Sequence, residues 1–213
     1  MRMWYHLSLT DVFYIIWGYC SGSILFARIF GWIFKRKDIT VESRDGNPGA
    51  ANAFQYGGFL CGTLTLIGDL VKGFLPVYCY LHWVVLPSDG ISIGLAMVIA
   101  APVIGHIFPL YYHFRGGKGI TVTFGCLLGL VPILEPVILL AIVFLFFSLI
   151  LRVSPHYHRT ILTYLCTMLL MFTLPVMKSV PLGFLLITGA VLLRMHLSDE
   201  EKDPMKVRLL WKR

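Results

Sequence analysis

Thr121–Leu151 reads TVTFGCLLGLVPILEPVILLAIVFLFFSLIL, 31 residues whose only charge, Glu135, stands between Pro132 and Pro136. A helix interior loses a hydrogen bond and meets a ring at proline, and the residue before proline is biased toward extended backbone. The run therefore reads as two apolar segments, 120–131 and 135–151, joined by a turn. One long kinked span is the alternative.

Working outward, further apolar stretches run from Leu9 to Phe34, Tyr56 to Leu81, Ile91 to Tyr112, Thr160 to Met177 and Val180 to Arg194. A helix needs about 20 apolar residues to cross a hydrocarbon core of about 30 Å. The expected fold is an all-α polytopic membrane protein with about seven transmembrane helices.

Charge placement favours seven over six. Seven spans put Lys35, Arg36, Lys37, Arg44, Arg115, Lys118, Arg152, Arg159, Arg194, Lys202, Lys206, Arg208, Lys212 and Arg213 on one side, and only Arg2 and Lys178 on the other. That is 14 against 2 of 18 basic residues, with Arg28 and Lys72 inside spans. The positive-inside rule then sets the N-terminus outside and the C-terminus in the cytoplasm. Six spans would move Arg152 and Arg159 outward.

Composition agrees. Hydrophobic residues make up 57% of the 213 and charged residues 14%, with mean hydropathy +0.78, far from the balance of a soluble domain. The net charge of +7 belongs to the membrane edges, so no nucleic-acid partner is expected. We expect one membrane domain over 1–213, ending in a charged cytoplasmic tail, 195–213. The first apolar run is too long for a signal peptide and reads as a retained span. Cys20, Cys61, Cys79, Cys126 and Cys166 stand singly, without disulfide or zinc spacing.

Three polar features interrupt this background. Ser43-Arg44-Asp45-Gly46-Asn47-Pro48-Gly49-Ala50-Ala51-Asn52 precedes the second span, and its small residues let backbone amides turn toward an anion at a helix start. It also suits a plain loop entering a helix. His113-Phe114-Arg115-Gly116-Gly117-Lys118-Gly119 precedes the fourth span and joins three glycines to two cations, the chemistry of phosphate cradling. Basic glycine loops also arise as topology signals. Gly68-Asp69-Leu70-Val71-Lys72-Gly73 puts two ionisable groups at i,i+3 inside a span, which suits either a polar interior or a self-neutralising packing pair. HExxH and CxxC are absent, so no metal or cofactor is expected.

The ordered set Gly46-Asn47-Pro48-Gly49-Ala50-Ala51-Asn52, Asp69-Leu70-Val71-Lys72-Gly73, Gly105-His106-Ile107-Phe108-Pro109, Gly116-Gly117-Lys118-Gly119 and Arg152-Val153-Ser154 resembles the bacterial acyl-phosphate:glycerol-3-phosphate acyltransferases called PlsY. The resemblance covers most of the chain. It implies transfer of a fatty acyl group from acyl phosphate to the 1-hydroxyl of glycerol 3-phosphate, giving lysophosphatidate, with a substrate phosphate taking the hydroxyl proton. It further implies a bacterial inner-membrane location with a cytoplasmic active face, membrane lipids as surroundings, and a monomer. Lys118, Ser154 and His196 fall at catalytic positions. Arg44, Asp45, Gly46, Asn47, Gly49, Asn52, Asp69, Lys72, Arg115, Gly116, Gly117 and Gly119 are the substrate-binding candidates.

Three positions depart from the family pattern. Asp45 stands where a serine is usual, Gln55 where an arginine is usual, and the tail reads His196-Leu197-Ser198-Asp199-Glu200. A carboxylate gained and a cation lost weaken binding of a dianion, with Arg44 expected to compensate. An acyltransferase of the same fold with another phosphorylated acceptor, and a non-catalytic lipid-binding or transport protein, are the rival readings.

Overall fold

The computed structural model describes residues 7–35, 38–43, 45–84, 91–198 and 203–210. The chain forms helices α1 (Leu9–Gly22), α2 (Phe26–Lys35), α3 (Ala50–Gly57), α4 (Phe59–Trp83), α5 (Ile93–Ile107), α6 (Ile120–Leu128), α7 (Glu135–Leu145), α8 (His156–Met171) and α9 (Ser179–Leu197), with strands β1 (Val153–Ser154) and β2 (Lys206–Val207). Among the described residues four helical stretches are long and apolar enough to cross a membrane: Leu9–Lys35, Phe59–Trp83, Ile93–Tyr112 and Ser179–Leu197.

The opening run divides where the prolines stand. α6 stops at Leu128 and α7 starts at Glu135, with Pro136 in its first turn, where a missing N–H costs nothing. At nine residues α6 is about 14 Å long, short of a full crossing. α7 continues through a π-helical turn, Phe146–Ile150.

Other boundaries shift. The expected first span breaks after Gly22 and resumes at Phe26, and the expected second span separates into α3 and α4 at Gly58, whose φ of +87° favours glycine. α8 begins at His156 and ends at Met171, ahead of the expected Thr160–Met177. The all-α expectation is corrected by one antiparallel ladder pairing Val153 with Val207 and Ser154 with Lys206. The expected tail is likewise more structured. α9 carries on to Leu197 with Met195 fully buried, and β2 returns the chain to β1 because extended backbone beside α8 offers unpaired amides and carbonyls.

Caps gather one end of the bundle. Ser8 and Asp11 form a capping box at the start of α1, and Asp11 also accepts a hydrogen bond from the Tyr80 hydroxyl near the end of α4. The Ser92 amide at the start of α5 donates to Ser179 Oγ, the first residue of α9, at 2.8 Å. Along the bundle, a Cβ at Gly22 would collide with the Pro102 carbonyl and one at Gly105 with the Tyr19 carbonyl. α1 and α5 therefore touch backbone to backbone, the close approach that small residues give membrane helices. The opposite end collects the loop before α3, the end of α5, the start of α6 and the last turns of α9.

Candidate active site at the meeting of two glycine loops

The loop before α3 is organised by its carboxylate. Asp45 Oδ1 accepts from the Asn52 side-chain amide at 2.8 Å and from the Asn47 backbone amide at 3.2 Å. Asn52 also donates to the Asn47 carbonyl at 2.8 Å. These bonds hold the backbone through Gly46 at φ +59°.

The second loop meets the first through one ion pair. Lys118 Nζ donates to Asp45 Oδ2 at 3.0 Å, and Lys118 is 7% exposed. Burial pulls the Asp45 carboxyl up, but the Asn52 bond, the Lys118 bond and charge, and the Asn47 amide outweigh it and hold the group below the usual carboxylate range.

Two glycines of this second loop lie against the end of α5. The Gly116 amide donates to the Ile107 carbonyl at 3.2 Å and the Gly117 amide to the His106 carbonyl at 3.0 Å. Both N–H groups are thus committed to the end of α5, which corrects the expectation that they point at a ligand. A Cβ at Gly116 would strike the His106 carbonyl, and one at Gly117 would strike the His106 ring. Gly119, at φ +79°, turns the chain into α6, whose first amides lack intrahelical partners.

Beneath the loops lies a buried polar cluster. Lys72 Nζ is 2.7 Å from Asp69 Oδ1 and 2.9 Å from His106 Nδ1, and it donates to the Ile24 carbonyl. Asp69, Lys72 and His106 are 1%, 5% and 3% exposed, so the cluster is shut off from lipid. The Asp69–Lys72 contact lies off the hydrogen-bonding direction and holds by charge. An ammonium can only donate, so His106 Nδ1 accepts and its ring proton sits on Nε2.

These parts open onto one cavity of about 290 Å³, lined by Asn47, Gly49, Asp69, His106, Lys118 and Gly119, and by Phe144, His156 and Arg159 from α7 and α8. Two loops about 70 residues apart and an intramembrane ion pair thus share one chamber, as an enzyme site requires.

Other candidates fall elsewhere. Arg44 lies outside the described residues. Arg115 is exposed and lines a separate cavity of about 640 Å³ with Arg28, Tyr111, Tyr112 and His113. Ser154 is exposed on β1 and His196 is exposed on α9, and neither lines the chamber. Gln55 is exposed and donates to the Tyr56 hydroxyl at 3.3 Å. His106, His156 and Arg159 were not expected there. His106 stood in the Gly105–Pro109 motif without a site role and Arg159 among the charges that set topology, and the usable signal was the i,i+3 spacing of His156 and Arg159 just after Pro155.

Comparison with known proteins bears on the chamber's use. Residues 12–202 match the family model described as Glycerol-3-phosphate acyltransferase. A glycerol-3-phosphate acyltransferase of Pseudomonas aeruginosa (strain PAO1) is 42% identical over 129 residues, covering 59% of this chain and 62% of that protein. One from Serratia proteamaculans is 36% identical over 121 residues, covering 57% and 54%. The aligned region thus spans less than two thirds of these relatives' length. Two crystal structures of PlsY, an integral membrane glycerol 3-phosphate acyltransferase, superpose on the chain at 25% identity. The glycerol 3-phosphate form gives a TM-score of 0.69 over 88% of both chains, and the lysophosphatidic acid form gives 0.66 over 87%. With helices apolar enough to span a bilayer and a family match over nearly its whole length, this chain belongs to the glycerol-3-phosphate acyltransferase family of integral membrane proteins.

Proposed function

We propose that the protein transfers a fatty acyl group from acyl phosphate to the 1-hydroxyl of glycerol 3-phosphate, releasing phosphate and lysophosphatidate at the cytoplasmic face of a bacterial inner membrane. The observation that carries this reading is the 3.0 Å contact between Lys118 and Asp45, which brings both glycine loops to one chamber.

Acyl phosphate is a mixed anhydride with a good leaving group. The acceptor hydroxyl attacks the acyl carbon, the bond from that carbon to the phosphate oxygen breaks, and the departing phosphate takes the hydroxyl proton. The protein's part is to align the two substrates and stabilise the developing charge. Lys118 and the opening turn of α6 supply positive potential, and Asn47 lines the wall while Asn52 holds the loop behind it through Asp45 and the Asn47 carbonyl.

Positive-inside placement of the basic loops that gather at the chamber favours seven passes with the N-terminus outside and the C-terminus inside, residues 129–134 finishing the pass that α6 begins, and the working unit proposed is a monomer. Single cysteines in a cysteine-free background test the orientation. Lys178→Cys should react with an impermeant maleimide from outside, and Lys206→Cys only after the membrane is opened.

The activity test uses purified protein in nanodiscs with acyl phosphate and glycerol 3-phosphate, followed by mass spectrometry for lysophosphatidate and by phosphate release. Folded protein that makes no product removes the substrate assignment. A phosphorylated acceptor other than glycerol 3-phosphate is the second reading, because Asp45 already neutralises Lys118. A panel of phosphorylated polyols separates the two.

A further inference from the structure

The first turn of α8 presents donors that neither glycine loop accounts for. Arg159 Nη2 donates to His156 Nδ1 at 3.1 Å. A guanidinium has no acceptor, so Nδ1 is the accepting nitrogen and the imidazole proton is assigned to Nε2. The Phe144 ring lies 6.0 Å from the Arg159 guanidinium carbon and flanks one face of the group. Arg159, His156 and Phe144 all line the chamber.

The unsatisfied atoms there are complementary. Arg159 Nε is a buried donor with no acceptor among the described residues, and Asn47 Oδ1 is a buried acceptor with no donor among them. Such atoms are costly unless something fills them. The charges point the same way. Lys118 faces Asp45 and Lys72 faces Asp69, whereas no carboxylate among the described residues is within ion-pair distance of Arg159. A cation serving only as a topology signal would sit in water with every N–H hydrated.

We propose that Arg159, oriented by His156, binds the phosphate monoester of the acceptor, while Asn47 Oδ1 receives a hydrogen bond from its hydroxyl. The inference rests on the chamber being the acyl-transfer site, and it places the acceptor's phosphate against the first turn of α8. A small molecule carrying both a hydroxyl and a phosphate offers one group suited to each orphaned atom. Arg159 is then the binding residue and His156 its positioning residue.

Inorganic phosphate titrated into the purified protein in nanodiscs, read by calorimetry, tests this without turnover. Wild type should bind, and Arg159→Ala should weaken binding by about 10- to 100-fold, the worth of a charged hydrogen bond. Arg159→Lys should keep part of the affinity, since it retains charge but not the fork. Arg159→Gln, similar in size, covers the case in which the alanine variant folds poorly. The KM for glycerol 3-phosphate should rise in step with the loss of phosphate binding, with kcat changing far less, and His156→Gln should give a smaller rise. Wild-type phosphate affinity in folded Arg159→Gln, or no phosphate binding by wild type, overturns the proposal. Phosphate binding through Arg159 without lysophosphatidate formation leaves it standing and removes the reaction assignment. Normal turnover with an unchanged KM in Arg159→Gln does the reverse.

Discussion

Lys118 Nζ sits 3.0 Å from Asp45 Oδ2, and this one ion pair joins the loop before α3 to the loop before α6. Asp45 also accepts from Asn52 and from the Asn47 amide, so three donors that could meet a substrate anion already meet a carboxylate belonging to the chain. Arg159 on α8 lines the same chamber with no carboxylate among the described residues within ion-pair distance.

Lys118→Ala should lower kcat by about 10²- to 10³-fold, the usual cost of removing one preorganised donor to developing charge. Expression should hold up, because the lysine is at the chamber wall rather than in the apolar core. Steady-state phosphate release by purified protein is the measurement, and unchanged turnover would exclude a role in the reaction.

Asp45→Ser should lower the KM for glycerol 3-phosphate by about 3- to 10-fold. Removing the carboxylate makes the chamber one charge more positive, in the direction set by Coulomb attraction. A KM that rises would mean that Asp45 contacts the acceptor directly.

Stability should fall in acid through Asp45. Its native carboxyl titrates below its unfolded value of about 3.9, so the stabilisation is fully present above about pH 4 and is lost as pH drops through the lower native value. Thermal unfolding of wild type and Asp45→Asn between pH 7 and pH 3 measures it. The gap between the two curves should close toward the acid end.

Asp69→Asn or Lys72→Met alone should destabilise by about 3–5 kcal/mol, because each leaves its partner buried and uncompensated. The double variant should regain much of that loss. Unfolding in mild detergent tests the pair, and additive losses would show that the two residues act separately.

Gly117→Ala should abolish activity and lower the melting temperature, since the new methyl occupies the place of the His106 ring. Pairing it with His106→Ala should recover melting temperature but not turnover. Failure of that recovery would locate the clash elsewhere.

Much of the fold was legible along the chain. Pro132, Glu135 and Pro136 broke the long apolar run where α6 gives way to α7, because proline acts on its own backbone and needs no distant partner. The breaks at Ser23–Leu25 and Gly58 were not, since apolar residues on both sides carry the same hydropathy whether one helix or two is present. The β1–β2 ladder was equally hidden, as two residues of strand leave no periodicity.

The site divides in the same way. Local composition marked Asn47, Asn52, Asp69, Lys72 and Lys118 as polar groups out of place in an apolar chain, and the structure brings them to one end of the bundle. Gly116 and Gly117 carried a phosphate-loop pattern, yet their amides are spent on the end of α5, a matter of which backbone lies alongside. Ser154 and His196 kept their place in the motif order while lying outside the chamber.

The sequence by itself determined that the protein is a helical membrane protein, where its apolar stretches are punctuated, and which residues carry unusual charge, because hydropathy and backbone constraints are written residue by residue. Only the tertiary structure decided that Asp45 meets Lys118 and that Arg159 faces the same chamber. Such pairings depend on how helices far apart in the chain pack, and packing is set by the shapes of surfaces that no single segment contains.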